Sequence, residues 1–194
     1  MRIGKIVAGV LTSTVALALT ACGGSGAATA PPAPAPGGPR VGAAGSGCEL
    51  PVTFTLEESY QPKTVSIAPD DPLAELAKKG PVTMVCEIDA KPAGNIGFLR
   101  VYAGDKAELR TSLEAFIGKG ALEPAFTDLR IGDRAAVEVV YQQKSPLDDG
   151  EVDKERAFVV ETAQGIVVVA LDSFDSDEHE SILPAYELAK STLA

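Results

Sequence analysis

The sequence predicts an α+β fold in which helices pack on an antiparallel sheet. Three observations support this prediction. Short segments with alternating or continuous apolar residues recur between residues 51 and 173, a pattern typical of strands. One helical pattern interrupts them midway, and a second closes the chain. Strands that are joined by short turns and accompanied by few helices favour a single layered domain, which we expect to span residues 48–194.

The first half of this domain is predicted to contain two helices. Residues 69–80 place aspartates before an apolar run and end at Gly80, which favours a short capped helix. A central helix follows Asp105, with Glu108 expected to complete a capping box and an end near Gly118. Its apolar face consists of Leu109, Leu113, Phe116 and Ile117. Strands are predicted at 51–56, which is expected to pair with 63–68, and at 81–89 and 96–103.

The second half is predicted to be an antiparallel meander followed by a closing helix. Its strands are separated by turn signals, with an acidic loop at 145–154 and a short AQG turn. The closing helix carries apolar residues at core spacing, namely Ile182, Leu183, Tyr186, Ala189 and Leu193, with Pro184 expected in its first turns. The four strands are predicted at 126–132, 134–143, 155–163 and 165–173.

The N-terminus has the layout of an exported lipoprotein. A short positive segment, MRIGK, precedes the apolar run at 6–21, which is shorter than the ~20 residues of a membrane span and favours a signal peptide at 1–21. A membrane anchor or an internal helix is the alternative. The residues Leu19-Thr20-Ala21-Cys22 resemble the lipobox of bacterial lipoproteins. That resemblance implies cleavage before Cys22 and attachment of diacylglycerol to its thiol, so that the protein is held at the membrane by acyl chains.

Residues 22–47 are predicted to be the lipidated cysteine and a disordered tether. The stretch consists almost entirely of Gly, Ala, Pro and Ser, which cannot bury a core. Sequence rich in Ala, Pro and Gly also resembles that of actinobacterial proteins. Assigning Cys22 to lipid leaves Cys48 and Cys86, and an oxidising compartment favours a structural disulfide between them. A redox or metal-binding pair is the alternative, but their spacing matches no CxxC or ligand motif.

The order of the predicted elements resembles the PsbP/Mog1-like fold, which includes mycobacterial lipoproteins of the LpqN type. The GFLRVY strand before a capped helix and the GIVVVALDSF strand before the closing helix carry this resemblance. It implies a binding or accessory role toward other proteins or small ligands, without a shared set of catalytic residues. No site residue is therefore transferred from the family.

The charge distribution and the motifs exclude several functions. The chain has 17 Lys and Arg against 27 Asp and Glu, a net charge of −10, so we expect no binding to nucleic acid. His179 is the single histidine, and no nucleophile, phosphate-loop or dinucleotide motif is present, so neither enzyme activity nor a cofactor is expected. Other acidic residues, Asp148, Asp149, Glu151, Asp153 and Glu155, are interpreted as a solvated hairpin loop.

The acidic residues around His179 allow two interpretations. Asp172, Asp175, Asp177 and His179 could form a cation site, because hard ions prefer several carboxylates. However, the stretch matches neither the EF-hand pattern nor HExxH. Acidic residues also cap helices and complement their dipoles, and this second interpretation is favoured, with no metal expected.

These observations predict a non-enzymatic lipoprotein at the extracytoplasmic face of the cell membrane. We expect it to act as a binding or accessory module beside other envelope proteins. Two other hypotheses remain open: a regulatory lipoprotein that modulates an envelope-stress sensor kinase, and a carrier of a small ligand, which would need an apolar cavity.

Overall fold

The computed structural model describes residues 38–194, with the exception of Pro69, Leu73 and residues 146–149. The predicted signal peptide at 1–21 and the predicted lipid attachment at Cys22 lie outside the described residues. Within the described part, an eight-stranded antiparallel sheet has a helix on each face, and a two-stranded sheet accompanies the C-terminal helix. The predicted class, an antiparallel sheet with helices packed on it, is confirmed.

The main sheet runs in the order β3-β5-β6-β10-β9-β8-β7, and β4 pairs with the same edge of β5 as β3 does. All neighbouring strands in it are antiparallel. Strands β7 to β10 form the predicted meander. The strands are β1 Arg40–Val41, β2 Phe54–Thr55, β3 Gln61–Thr64, β4 Lys78–Lys79, β5 Val82–Asp89, β6 Phe98–Gly104, β7 Leu122–Ile131, β8 Arg134–Lys144, β9 Val152–Glu161 and β10 Ile166–Asp172. The helices are α1 Leu109–Ile117 and α2 Ser176–Thr192.

Two predictions for residues 51–80 are wrong. Strand β2 pairs with β1 in the small sheet, whereas β3 lies on the edge of the main sheet beside β5. Pro62 fits this edge position because proline has no N–H to donate to a second neighbour. The expected helix at 69–80 is reduced to a 3-10 helix at Ala74–Ala77. The next two residues of the predicted helix, Lys78 and Lys79, form β4 instead. Gly80, with φ of +58°, then turns the chain back into β5.

The end of the predicted tether belongs to the folded domain. Val41 is fully buried and pairs with Phe54, and Leu56 N–H donates to the carbonyl of Pro39 at 2.8 Å. At Gly42, with φ of +102°, a Cβ atom would lie 1.9 Å from the Val52 carbonyl oxygen. Small residues at this end of the predicted tether therefore permit close backbone contacts, and the expected disorder does not extend to residues 38–47.

The face of the sheet that α2 covers contains the larger apolar cluster. Ile182, Tyr186 and Ala189 of α2 are buried in it as expected, but Pro184 lies inside the helix and not in its first turns. Cys48 and Cys86 are fully buried in the same cluster and are joined by a disulfide, with their Cα atoms 6.0 Å apart. This bond ties the segment after β1 to a strand of the main sheet.

Helix α1 covers part of the opposite face. Leu113 and Phe116 are buried there, and the Phe116 ring meets Tyr102 edge-on at 5.0 Å between ring centroids. The expected capping box is wrong, because Glu108 itself is the N-cap and its carboxylate accepts hydrogen bonds from the Arg110 and Thr111 N–H groups. The helix ends before Gly118 as predicted.

A network of charges holds α2 on the sheet. We expect the carboxylate at its centre, that of Glu138, to contribute about 2 kcal/mol to the free energy of unfolding. Glu138 on β8 accepts hydrogen bonds from the Tyr186 hydroxyl and Lys190 Nζ, both at 2.9 Å, and Arg156 Nη1 lies 3.9 Å away. Substitution Glu138→Ala would remove the acceptor of the buried Tyr186 hydroxyl and leave Lys190 and Arg156 with Glu187 alone, at a cost of about 2 kcal/mol by urea denaturation. Glu180→Ala removes an exposed pair with Lys154 and is the control, with an expected cost below about 0.5 kcal/mol. Equal losses in both variants would contradict this interpretation.

Candidate functional site

The α1 side of the sheet changes from apolar to polar along five of its strands. On β9, Val159 and Ala157 pack with α1, whereas Glu155 and Asp153 continue the same alternation toward the start of the strand. On β10, the residues on this side are apolar as far as Ala170, and the next one is Asp172. We call the resulting polar surface the acidic face. It consists of Glu87, Arg100, Gln143, Asp153, Glu155 and Asp172.

Arg100 is the central cation of the acidic face. Its Nε atom donates to Glu87 on β5 at 2.9 Å, and its Nη1 atom donates to Asp172 on β10. The guanidinium also lies 5.0 Å from the centre of the Phe98 ring. The side chains of Arg100, Glu87 and Asp172 are each between 26% and 30% exposed, so a partner can reach this part of the face. One guanidinium serves two carboxylates, which leaves the group with a net negative charge.

Glu155 lies deeper and is protonated near neutral pH. Its residue is 6% exposed, and Gln143 Nε2 donates to its Oε1 at 2.9 Å. The pKa of Glu155 is raised to about 8, mainly by burial and in addition by the nearby carboxylate of Asp172, whereas Lys79 opposes the shift. The same environment raises the pKa of the Tyr102 hydroxyl to about 12, mainly through burial.

Asp153 has a buried oxygen without a partner. The residue is 5% exposed, and its Oδ2 accepts no hydrogen bond from the described residues. It pairs across strands with Gln143, whose amide is directed to Glu155. Buried polar atoms are normally satisfied, and each exception calls for an explanation. The acidic face therefore combines an accessible ion pair with a buried carboxylate oxygen that no described residue satisfies.

The structure does not assemble the candidate cation site around His179. Asp172 belongs to the α1 side and pairs with Arg100, whereas His179 is buried on α2 at the other side, and burial lowers its pKa. Asp175 accepts a hydrogen bond from the Glu178 N–H at 2.8 Å, and Glu178 accepts one from the Phe174 N–H. These bonds support helix capping. Among residues 38–194, apart from the undescribed positions, no group of three or more potential ligands could hold a metal ion.

The interpretation of the acidic loop was correct for its exposed part only. Gly150 and Glu151 are exposed, while Asp148 and Asp149 lie outside the described residues. Asp153 and Glu155 are buried on β9, which contradicts their assignment to a solvated loop. Their spacing of two residues, continued by Ala157 and Val159, was a sequence signal for one face of a strand. The charges on either side of it favour a solvated loop instead, because carboxylates are rarely buried.

Two open clefts lie away from the acidic face. One, of about 400 Å³, is bounded by Pro81, Gly104, Asp105 and Gln164 among others. The second, of about 370 Å³, lies between Val65, Ile67, Ala77 and Met84. Neither shares a residue with the acidic face.

The architecture defines a PsbP-like domain. It is similar to the solution structure of cyanobacterial PsbP (CyanoP) from Synechocystis sp. PCC 6803, with a TM-score of 0.51 and 10% sequence identity. The similarity covers 80% of this chain and 91% of that chain. At this identity, it establishes the fold alone.

The chain belongs to a family of lipoproteins, described as uncharacterised lipoprotein, whose model matches residues 20–193. That family is not a known enzyme family, and it associates the chain with the membrane of the cell envelope. No curated protein sequence matches the chain. Neither helix of the described part has the length and apolarity that crossing a membrane requires.

Proposed function

We propose that the protein is a lipid-anchored accessory module of the cell envelope that binds a partner protein through the acidic face. The observation that carries the binding role is the accessible group of Arg100 with Glu87 and Asp172, in which one guanidinium serves two carboxylates and the net charge is negative. A partner that brings positive charge to this face would balance the excess of carboxylates around Arg100. This proposal includes no catalytic step.

The anchor in this proposal is Cys22, and the protein faces the extracytoplasmic side. The family match begins at residue 20 and so includes the cysteine. The disulfide between Cys48 and Cys86 supports export, because such bonds form in oxidising compartments. Two acyl chains would give stable attachment, whereas one chain binds only marginally.

Substitution Cys22→Ala is expected to abolish attachment of fatty acid. Without the thiol there is no acceptor for diacylglycerol, so metabolic labelling with a fatty acid should mark the wild-type protein and leave the variant unmarked. Ser25→Ala, three residues further along, is the control and should be labelled like the wild type. A wild-type protein that takes up no label would refute the anchor.

The acidic face is tested by crosslinking in intact cells followed by mass spectrometry. The double variant Asp153→Asn/Asp172→Asn removes two charges from the face, and we expect it to lose the envelope partner that the wild type captures. The control, Glu57→Gln/Glu58→Gln, removes the same charge from a loop outside the face and should retain the partner. Capture of the same partner by both variants would exclude the acidic face. Capture of no envelope protein by the wild type would exclude the accessory role itself.

A further inference from the structure

Strand β7 forms one edge of the main sheet, and no strand of the described chain pairs with its outer side. Its first part is protected against pairing. The register with β8 is broken between Leu122 and Ala125, and this stretch contains Pro124 and a positive φ of 49° at Glu123. Bulges and prolines are common means of blocking edge strands. Residues 126–131 have neither feature and pair regularly with β8, so this half of the edge can accept another strand.

The hairpin between β7 and β8 determines which backbone groups of β7 point outward. Ile131 pairs with Arg134 across a two-residue loop, and such a loop closes on a hydrogen-bonded pair. The backbone N–H and C=O groups of Ile131, Leu129 and Thr127 therefore point toward β8. The N–H and C=O groups of Phe126, Asp128 and Arg130 point away from β8, toward the open side.

We propose that a second copy of the chain occupies this edge, through antiparallel pairing of the two β7 strands about a two-fold axis at Leu129. The sequence Asp128-Leu129-Arg130 is complementary to itself in this register. Each Asp128 lies directly opposite Arg130 of the other copy, and the two residues exchange backbone hydrogen bonds. A register centred on Asp128 would instead oppose two aspartates, which is unfavourable.

The surroundings of β7 suit this arrangement. The side chain of Asp128 is 77% exposed, and its Oδ1 accepts a hydrogen bond from Arg110 at 3.0 Å, so Oδ2 is available for the second copy. Phe126 packs against the α1 side, which places the alternating charges of Asp128 and Arg130 on that side too. Leu129 lies on the other side and is half-buried, so that pairing brings two leucines together.

Cysteine crosslinking tests the register in the full chain, at its membrane and under mild oxidation. Leu129→Cys is expected to give a disulfide-linked dimer, because opposed residues without backbone hydrogen bonds have Cα atoms about 4.5 Å apart. Thr127→Cys is the control: it lies on the same side of β7, is more exposed, and would face Ile131 of the other copy. It is expected to stay monomeric. Crosslinking of neither variant, or of both to the same extent, would overturn the proposal.

Charge reversal in the Leu129→Cys background tests the complementarity. Asp128→Arg or Arg130→Asp alone is expected to lower the dimer fraction about tenfold, because two attractive pairs become repulsive. The double reversal Asp128→Arg/Arg130→Asp should restore dimerisation, although it keeps the same repulsion toward Arg110 as the first single variant. Unchanged dimer in both single variants, or no recovery in the double variant, would contradict the pairing. All variants should retain the wild-type unfolding transition.

Discussion

Replacement of both Cys48 and Cys86 by alanine is expected to lower the free energy of unfolding by about 4 kcal/mol. The two residues are 38 positions apart, and the bond removes the closure entropy of that loop from the unfolded chain. Both are fully buried in the cluster beneath α2, so the variant also loses packing around small side chains. Urea denaturation monitored by circular dichroism measures the difference.

Reductant provides the matched control for the disulfide. It should destabilise the wild type to a similar extent and leave the Cys48→Ala/Cys86→Ala variant unchanged. A loss of less than about 1 kcal/mol in the variant would show that the unfolded chain gains little freedom when the bond is absent.

Substitution Glu155→Gln is expected to stabilise the protein by about 2–4 kcal/mol at pH 8 and to have little effect at pH 4. The pKa of Glu155 rises from 4.5 to about 8 on folding, so the folded state retains a proton that the unfolded state has lost. The stability due to the protonated carboxyl is complete below about pH 4.5 and is lost as the pH rises toward 8. Glutamine has the shape of the protonated acid and cannot ionise.

Unfolding curves collected between pH 4 and pH 9 check this prediction. The difference between Glu155→Gln and the wild type should grow with pH across the interval, because the folded wild type loses the proton of Glu155 as the pH approaches 8. Glu161→Gln, at an exposed position of the same strand, is the control and should give a constant difference near zero. A constant difference for Glu155→Gln as well would refute the raised pKa.

Local sequence patterns correctly predicted those elements that pack against the next element along the chain. The meander β7 to β10 follows from alternating strands and short turns, and α2 follows from apolar residues at helical spacing. Segments whose structure depends on distant partners were not predictable in this way. Residues 78–79 form a strand because they pair with the edge of β5, and Gly80 makes the turn between the two. Residues 40–41 likewise form a strand because they pair with β2.

The acidic face illustrates the same limit for the site. Its residues come from five neighbouring strands, and only the register shows that Glu87, Arg100 and Asp172 meet. Burial of Asp153 and Glu155 could not be inferred from composition, because acidic residues are ordinarily exposed. The disulfide was simpler to predict, because Cys48 and Cys86 are the two cysteines that remain once Cys22 is assigned to lipid.

The two ends of the described chain meet on the small sheet, and this has a mechanical consequence. Thr53 and Ala194 exchange two backbone hydrogen bonds of 2.9 Å, beside the pairing of β1 with β2. A force applied through the residues before Gly38 would therefore load β1 first. Beyond β1, the covalent link from Cys48 to Cys86 passes the load directly to β5. Tension on the residues before Gly38 would thus reach the main sheet through a covalent bond, at a position next to Glu87 of the acidic face.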